Sequence, residues 1–394
     1  MPSIVVKNSS KYLLLPSGPD HPGSKGASAS YYDPSEDSFD YLPPLGPFSA
    51  TKGESPGDLD SFIDSRKDGE DWFALYNPRS PRSLNISLVF QVNYERQMSC
   101  VRFSKDGLWL ATGGAHGTQI FSMRTRTISC TLTDRGKYIN SVCFSPDGKY
   151  LATVASDGLN QVNASHVHHE LLTVGLVFWG TDIPSILPSQ IWDIARKCIH
   201  HTYKGGCGPV NFSHDGSFIV SSSPGGTIQI WNMNTRKSKV LLINDGVRIS
   251  KVAISPDDRF VAVASNDKVV CIWDIATGTL VDRLIGHDAM VLSVAFMPDG
   301  KGLVSCSQDH TLKYWELSAS LRGTHETGGQ FSKCMRDFIG HRSTVTCVAI
   351  SHDGQWITSC STDCGVQFWD KHGHTHLTLQ GHHSVGTRLS LPVF

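Results

Sequence analysis

The chain repeats itself, and this self-similarity restricts the fold more than any other feature of the sequence. The recurring phrase is an apolar strand, a turn of the Ser-Pro-Asp-Gly type, a second strand ending in small residues, a polar turn, and a strand closing on Trp-Asp. Copies begin at Val101 (VRFSKDGLWLATGG), Val142 (VCFSPDGKYLATVASD) and Val210 (VNFSHDGSFIVSSSPGGTIQIWN). Three more begin at Val252 (VAISPDDRFVAVASNDKVVCIWD), Val294 (VAFMPDGKGLVSCSQDHTLKYWE) and Val348 (VAISHDGQWITSCSTDCGVQFWD). Apolar and polar residues alternate with period two inside each copy, so every strand has one face to bury. Asp-Gly pairs at Asp106, Asp147, Asp215, Asp299 and Asp353 supply the positive φ that tight hairpins need. A single small sheet of this kind cannot bury both faces. Several stacked around an axis can, which predicts an all-β propeller.

The rest of the composition narrows the functional classes. A net charge of -1 gives no global field toward nucleic acid or an anionic membrane. The longest basic cluster, Arg236-Lys237-Ser238-Lys239, is too short for a nucleic-acid arm, and no apolar run reaches the ~20 residues of a membrane span. The N-terminus carries no secretory signal pattern. Eleven cysteines lie mostly inside strand-like runs and none forms a C-x-x-C, so they read as reduced core thiols rather than metal or redox ligands. Phosphate-binding, nucleotide, metalloprotease and nucleophile-elbow motifs are absent, which predicts a non-enzyme without a cofactor. His372, His374 and His376 alternate along one strand face, but the sequence offers no carboxylate or cysteine to complete a set, so no metal is expected.

The Gly-His and Trp-Asp phrases and their spacing resemble the WD-repeat family. In that family a His before the first strand, a Ser or Thr in the second strand, an Asp in the following turn and the Trp of the third strand form a hydrogen-bonded tetrad. Two copies match it residue by residue: His287, Ser305, Asp309, Trp315, and His341, Ser359, Asp363, Trp369. The set looks like a catalytic Ser-His-Asp arrangement, yet it recurs from copy to copy and the Trp accounts for it as scaffold. Val263 replaces the Ser in the fourth copy and Phe121 replaces the Trp in the first.

The approach to the first repeat narrows the resemblance. Asp71-Trp72-Phe73-Ala74-Leu75-Tyr76-Asn77-Pro78, then Pro81-Arg82-Ser83-Leu84-Asn85-Ile86-Ser87-Leu88, runs into Cys100-Val101-Arg102-Phe103-Ser104. With Leu110-Ala111-Thr112-Gly113 and Thr118-Gln119-Ile120, this is similar to the propeller entry of the fungal Tup-type general transcriptional co-repressors, relatives of Groucho. The resemblance covers roughly residues 56 to 385. It implies a seven-bladed propeller in the nucleus that docks sequence-specific DNA-binding repressors, partners a tetratricopeptide co-repressor and engages histone tails. It implies no sequence-specific nucleic-acid contact of its own. A generic WD-repeat adaptor, such as a ubiquitin ligase receptor or RNA-processing scaffold, is the competing reading, and an interfering truncated product is a third.

Three departures from the family pattern shape the expected domain layout. Residues 1–70 are rich in Pro, Gly and Ser without heptads, and read as a disordered linker lacking the family's helical assembly segment. The propeller is then residues 71–394. Within it, an insertion at 158–190 interrupts the second copy; removing it restores a normal hairpin, as a retained intron or gene-model error would. A genuine partner-binding hairpin is the other reading. Finally, residues 383–394 stand where a last blade would continue. Leu84 to Val92 is the expected N-terminal strand of that blade, so the expectation is an incompletely closed ring of six blades, less stable than a complete propeller.

Binding residues are expected where loops enter the first strand and leave the second. By phase with Leu292, the entry positions are Ser99, Asn140, Gly208, Ser250 and Thr346. The positions before the tetrad Asp are Ser156, Asn266, Gln308 and Thr362, with Arg248 and Met290 on adjoining loops. Leu292 and Met290 are expected to be exposed apolar residues at a loop mouth, which suits an interface. The resemblance implies that DNA-binding repressors dock on this face.

Overall fold

The computed structural model describes residues 98–132, 137–157, 189–203, 208–223, 226–242, 247–318 and 332–380. It also describes 7–8, 66–68, 73–78, 80, 84 and 93–94. Residues 158–188 and 383–394, and the 1–70 segment apart from 7–8 and 66–68, lie outside the described residues.

Every repeat folds into one antiparallel four-stranded unit, its strands in sequence order from inner to outer. Blade one is Met98–Phe103, Trp109–Gly114, Gly117–Ser122 and Thr127–Leu132. Blade two is Lys137–Phe144, Tyr150–Asp157, Ser189–Asp193 and Cys198–Tyr203. Blade three is Val210–Phe212, Phe218–Ser223, Thr227–Asn232 and Ser238–Leu242. Blade four is Ile249–Ile254, Phe260–Ser265, Val269–Asp274 and Leu280–Ile285. Blade five is Val291–Phe296, Gly302–Ser307, Thr311–Glu316 and Lys333–Ile339. Blade six is Val345–Ile350, Trp356–Ser361, Gly365–Asp370 and Thr375–Gln380. The described chain is thus a six-bladed, all-β propeller.

First strands of successive blades pack on one another from blade one to blade six. Those of blades one, three, four, five and six line a common cavity of about 240 Å³, which puts the first strands at the centre of the ring. The core lies between the blades. Val270, Ile272 and Leu284 of blade four pack with Val291, Leu303 and Trp315 of blade five, and Leu312 and Phe338 of blade five with Val345, Ile357 and Trp369 of blade six. Clusters between successive blades from one to six give each of blades two to five both faces buried against its neighbours, as the repeat requires.

The strand expected over Leu84 to Val92 lies outside the described residues apart from Leu84, which packs against the outer part of blade six. Phe73–Tyr76 pairs antiparallel with the outer strand of blade six, Tyr76 opposite Leu377 and Ala74 opposite Leu379, and Arg66–Asp68 pairs with it in turn. Ala74 and Tyr76 bury one face with Leu377 and Leu379, while Phe73 and Leu75 remain half-buried. Blade six therefore becomes a six-stranded sheet whose outer edge is covered.

Blade two completes itself across the insertion. Leu151 pairs with Trp192 and Thr153 with Gln190, and Ser189 and Gln190 are buried third-strand residues rather than part of the inserted segment.

The hairpin between first and second strands is held in the same way in five blades, blade five having Met297 in place of the serine. Ser104, Ser145, Ser213, Ser255 and Ser351 donate their hydroxyls to the Asp two residues on, and that carboxylate also accepts a backbone N–H two residues further. Gly107, Gly148, Gly216, Gly300 and Gly354 hold φ between 68° and 75° at the next position. Blade four places Asp258 there, at φ 59°. Its carboxylate explains the exception: it accepts the N–H groups of His214 at 2.7 Å and Asp215 at 2.9 Å, on blade three's turn. Asp258→Ala is expected to lower the unfolding free energy by roughly 2 kcal/mol, because strain persists after the clamp is lost. Asp258→Gly, which removes the strain, should cost about half as much. Urea denaturation of both variants checks the ordering; equal losses would refute it.

Candidate functional site

The predicted entry positions share an unforeseen backbone feature. Ser99, Asn140, Ser250, Leu292 and Thr346 are each the unpaired residue of a β-bulge in the inner strand. In blade five, for example, Val291 pairs with Ser307 and Ser293 with Cys306, leaving Leu292 between them. Gly208 takes the equivalent place in blade three, where a Cβ would collide with Ser222 Oγ unless that hydroxyl turned aside. A bulge re-aims the backbone at one end of a strand, here at the same end in each of these blades.

The loop positions converge on that end. Asn266 N–H donates to the Arg248 carbonyl at 3.0 Å, Gln308 to Met290 at 2.9 Å and Thr362 to Thr344 at 2.9 Å. Asn266 Oδ1 in turn accepts the Arg248 N–H at 2.9 Å. Gln308 is exposed, while Asn266, Thr362, Arg248 and Met290 are half-buried; nothing is described of the Ser156 side chain. Leu292, expected to be exposed, is only 9% exposed, because it lies inside the paired span with backbone on both sides. Ser99 and Thr346 spend their hydroxyls on backbone carbonyls, Ser99 on Gly113 and Ile139 and Thr346 on Cys360. The groups most available to a partner are therefore the second-to-third-strand loops rather than the bulges.

Beneath this face sit the two tetrads. His287 Nδ1 is 2.7 Å from Asp309 Oδ2 and its Nε2 is 2.8 Å from Ser305 Oγ, to which Trp315 Nε1 also donates at 2.8 Å. In blade six the corresponding distances are 3.0, 2.7 and 2.8 Å for His341, Asp363, Ser359 and Trp369. Counting protons sets the direction: indole N–H to Ser oxygen, Ser O–H to Nε2, Nδ1–H to carboxylate. Burial alone would raise both carboxyl groups, but hydrogen bonds and charge from the imidazoles reverse this and hold Asp309 and Asp363 below the usual carboxylate range. The Gly before each His leaves room for the indole, since a Cβ at Gly286 or Gly340 would stand 3.1 or 2.9 Å from the Trp ring and force it to shift.

Reduced versions occur in blades whose repeat signature is degenerate. Trp192 Nε1 donates to Thr153 Oγ1 at 3.1 Å and Trp231 Nε1 to Ser221 Oγ at 3.2 Å. In blade four, Val263 leaves the buried Trp273 N–H without a partner. Thr substituted for Val263 would place a hydroxyl beside it. Val263→Thr is expected to change stability by less than about 0.5 kcal/mol, whereas Val261→Thr, also buried, should cost roughly 1–3 kcal/mol. Thermal denaturation of the pair measures the difference, and equal losses would exclude an acceptor role.

One expectation about histidines needs correction. A carboxylate does stand among them: Asp370 Oδ2 lies 3.0 Å from His374 Nδ1 and 3.2 Å from His376 Nε2, and its Oδ1 accepts the N–H groups of His372 and His374. Desolvation opposes ionisation, but these bonds bring the Asp370 pKa down to about 2. The turn bends Asp370 back onto the strand, which its sequence position did not show. Among the described residues no group of three or more His, Cys, Asp or Glu side chains is placed to hold a metal ion. The ten described cysteines are all free, and no described helix is long and apolar enough to cross a membrane.

Comparison with known proteins agrees with this architecture. The WD domain, G-beta repeat model matches residues 89–118, 126–161, 197–232, 240–274, 278–316 and 332–370, more than half of the chain. "Transcriptional repressor rco-1" of Neurospora crassa is 39% identical over 339 residues, covering 83% of this chain and 51% of that protein. "General transcriptional corepressor tupA" of Dictyostelium discoideum is 39% identical over 145 residues, 36% of this chain and 20% of that protein. "General transcriptional corepressor TUP1" of Saccharomyces cerevisiae is 30% identical over 155 residues, 25% of this chain and 22% of that protein. The chain spans about half the length of the first relative and about a fifth of the other two. With six repeats folded as blades and the match to rco-1 running across most of the sequence, the chain belongs to the WD-repeat family, and its repeat region is of the Tup co-repressor type.

Proposed function

We propose that the chain is a co-repressor scaffold acting in the nucleus, whose bulge-and-loop face binds sequence-specific DNA-binding repressors. The observation that carries this is the extended similarity to a transcriptional repressor across 83% of the chain. The tetratricopeptide co-repressor and histone tails are further partners on the same reading. A scaffold role without catalysis fits the chemistry of the two Ser-His-Asp sets. Ser305 and Ser359 are 0% exposed, and each oxygen already accepts a Trp N–H, so neither is presented to a substrate.

Tethering the chain upstream of a reporter tests the activity: repression is expected, and an unchanged reporter with folded, nuclear protein would sink the reading. The face is tested separately. Gln308→Arg, at the exposed loop position, should reduce capture of a DNA-binding repressor at least tenfold, while the melting temperature stays unchanged as for ordinary surface substitutions. Undiminished capture would move the docking surface elsewhere.

A further inference from the structure

The turns between third and fourth strands carry an uneven charge. In blades one to three, residues 123–132, 194–203 and 233–242 contain seven Lys and Arg and no Asp or Glu, although the chain as a whole is nearly neutral. Blade one contributes Arg124 and Arg126, blade two Arg196 and Lys197, and blade three Arg236, Lys237 and Lys239, all exposed. Each cluster is too short to signify by itself, and 70 residues separate the first from the second. The fold gathers them. Met123, Ile194 and Met233 each donate a backbone bond into the first-to-second-strand turn of their own blade, so all three turns lie at one end of the propeller, opposite the bulge face.

The clusters also come near the neighbouring blade's outer strand. Lys197 is close enough to Cys130 in blade one's outer strand for its charge to act on that thiol. Arg236 acts likewise on His201 and Tyr203 in blade two's outer strand. The three turns therefore lie at one end of three successive packed blades and make a basic arc.

Two of the seven cations are committed internally: Arg196 lies 3.8 Å from Asp193, and Lys239 donates to the Ile275 and Ala276 carbonyls. Arg124, Arg126, Lys197, Arg236 and Lys237 have no acidic partner among the described residues. Moreover Arg126, Lys197 and Arg236 hold φ of 59°, 53° and 57° at the turn position where blades four and six place Gly278 and Gly373. Three successive blades thus keep a cation where glycine would be easier.

From this arc we infer a second, sequence-independent binding surface for the phosphate backbone of duplex DNA. Packed sheets lie about 10 Å apart, so paired cations on successive blades step at a spacing comparable with the ~12 Å major groove, whose two edges are lines of phosphate. Unpaired cations are the electrostatic footprint of such a backbone contact, and the Asp106, Asp147 and Asp215 carboxylates of the adjoining turns are engaged by the Ser hydroxyls of their own turns. An acidic protein segment is the competing occupant, but nothing in the arc selects side chains along an extended peptide. A recruited repressor would hold the bulge face, leaving the opposite end to lie against DNA. This arrangement goes beyond the co-repressor reading, and its test involves no repressor.

Fluorescence anisotropy of the full chain with a mixed-sequence duplex of roughly 20 base pairs reads the contact directly. With about four phosphates neutralised, log K should fall against log salt with a slope near −3.6, weakening binding about a hundredfold between about 50 and 200 mM KCl. The triple variant Arg126→Gly, Lys197→Gly, Arg236→Gly keeps the backbone geometry. It should bind at least tenfold more weakly at 50 mM KCl, with the slope reduced by about 3. Lys268→Gln, Lys301→Gln, Lys371→Gln removes the same charge from exposed positions on blades four to six and should bind as the parent does. Equal losses in the two triples, no duplex binding at 50 mM KCl, or equally tight arc-dependent binding of poly-glutamate would each overturn the inference. Failure of the tethered reporter would leave the anisotropy result untouched, so the two readings fail separately.

Discussion

Ser359→Ala is expected to cost about 3 kcal/mol of unfolding free energy, a large loss for one hydroxyl. Two buried partners lose their complement at once. Trp369 N–H would be left facing a methyl group, and His341 Nε2 would lose its donor, both in a residue environment that is 0% exposed at the serine. Each unsatisfied group costs roughly 1–3 kcal/mol, and the terms couple because Asp363 orients the imidazole through Nδ1. Ser305→Ala should behave alike in blade five, where His287 and Trp315 are placed in the same way. Urea denaturation followed by tryptophan fluorescence gives the loss. A cost under about 0.5 kcal/mol would mean that water replaces the hydroxyl, and the tetrad would then contribute little to blade packing.

Blade four shows what the sequence tolerates when the set is incomplete. Val263 packs with Val252 and Val261, so apolar contact there offsets an orphaned indole N–H. Tetrads and plain apolar packing are therefore alternative ways to hold the same third strand. Even where the tetrad is complete, the Trp ring also packs: Trp369 meets Phe338 edge-on at 5.6 Å, next to His341 at 6.1 Å.

The repeated blade was legible because period-two alternation and turn chemistry act within about 20 residues and need no distant partner. Both tetrads were legible for the same reason, since His, Ser, Asp and Trp recur at identical offsets in blades five and six. Ser221 and Trp231 stand at the same ten-residue spacing and could have been read, whereas the segment between Asp157 and Ser189 separates Thr153 from Trp192 and hides that pair. The blade-six addition was missed because Phe73–Tyr76 is a four-residue alternation, weaker to the eye than the longer apolar run from Leu84. Its place is fixed by an outer edge some 300 residues later in the chain. The bulges escaped for a different reason. A one-residue insertion in a strand changes register without changing composition, so Leu292 looks like a loop residue until its neighbours Val291 and Ser293 are seen paired. The basic arc is also nonlocal, assembled from three short runs that gain meaning only when adjacent blades bring them together.

Acid should unfold this propeller through the same carboxylates that order it. Asp309, Asp363 and Asp370 are all held below the ordinary value by the groups donating to them, with Asp370 at about 2. A carboxyl whose folded pKa is depressed contributes stability that is fully present above its unfolded value near 3.8 and disappears as pH falls through the folded value. For Asp370 alone the difference is about 2 kcal/mol at most, given its partial exposure. The two tetrad carboxylates act in the same direction, so on the order of several kcal/mol should be lost between about pH 5 and pH 2. Stability above pH 5 should be insensitive to these groups. The decisive comparison is Asp370→Asn, whose side chain cannot titrate: it should be less stable than the parent at pH 7, and the gap should close as pH approaches 2. A gap that stays constant from pH 7 to pH 3 would show that the carboxylate's charge contributes nothing, and that Asp370 acts only through the shape of the turn it closes.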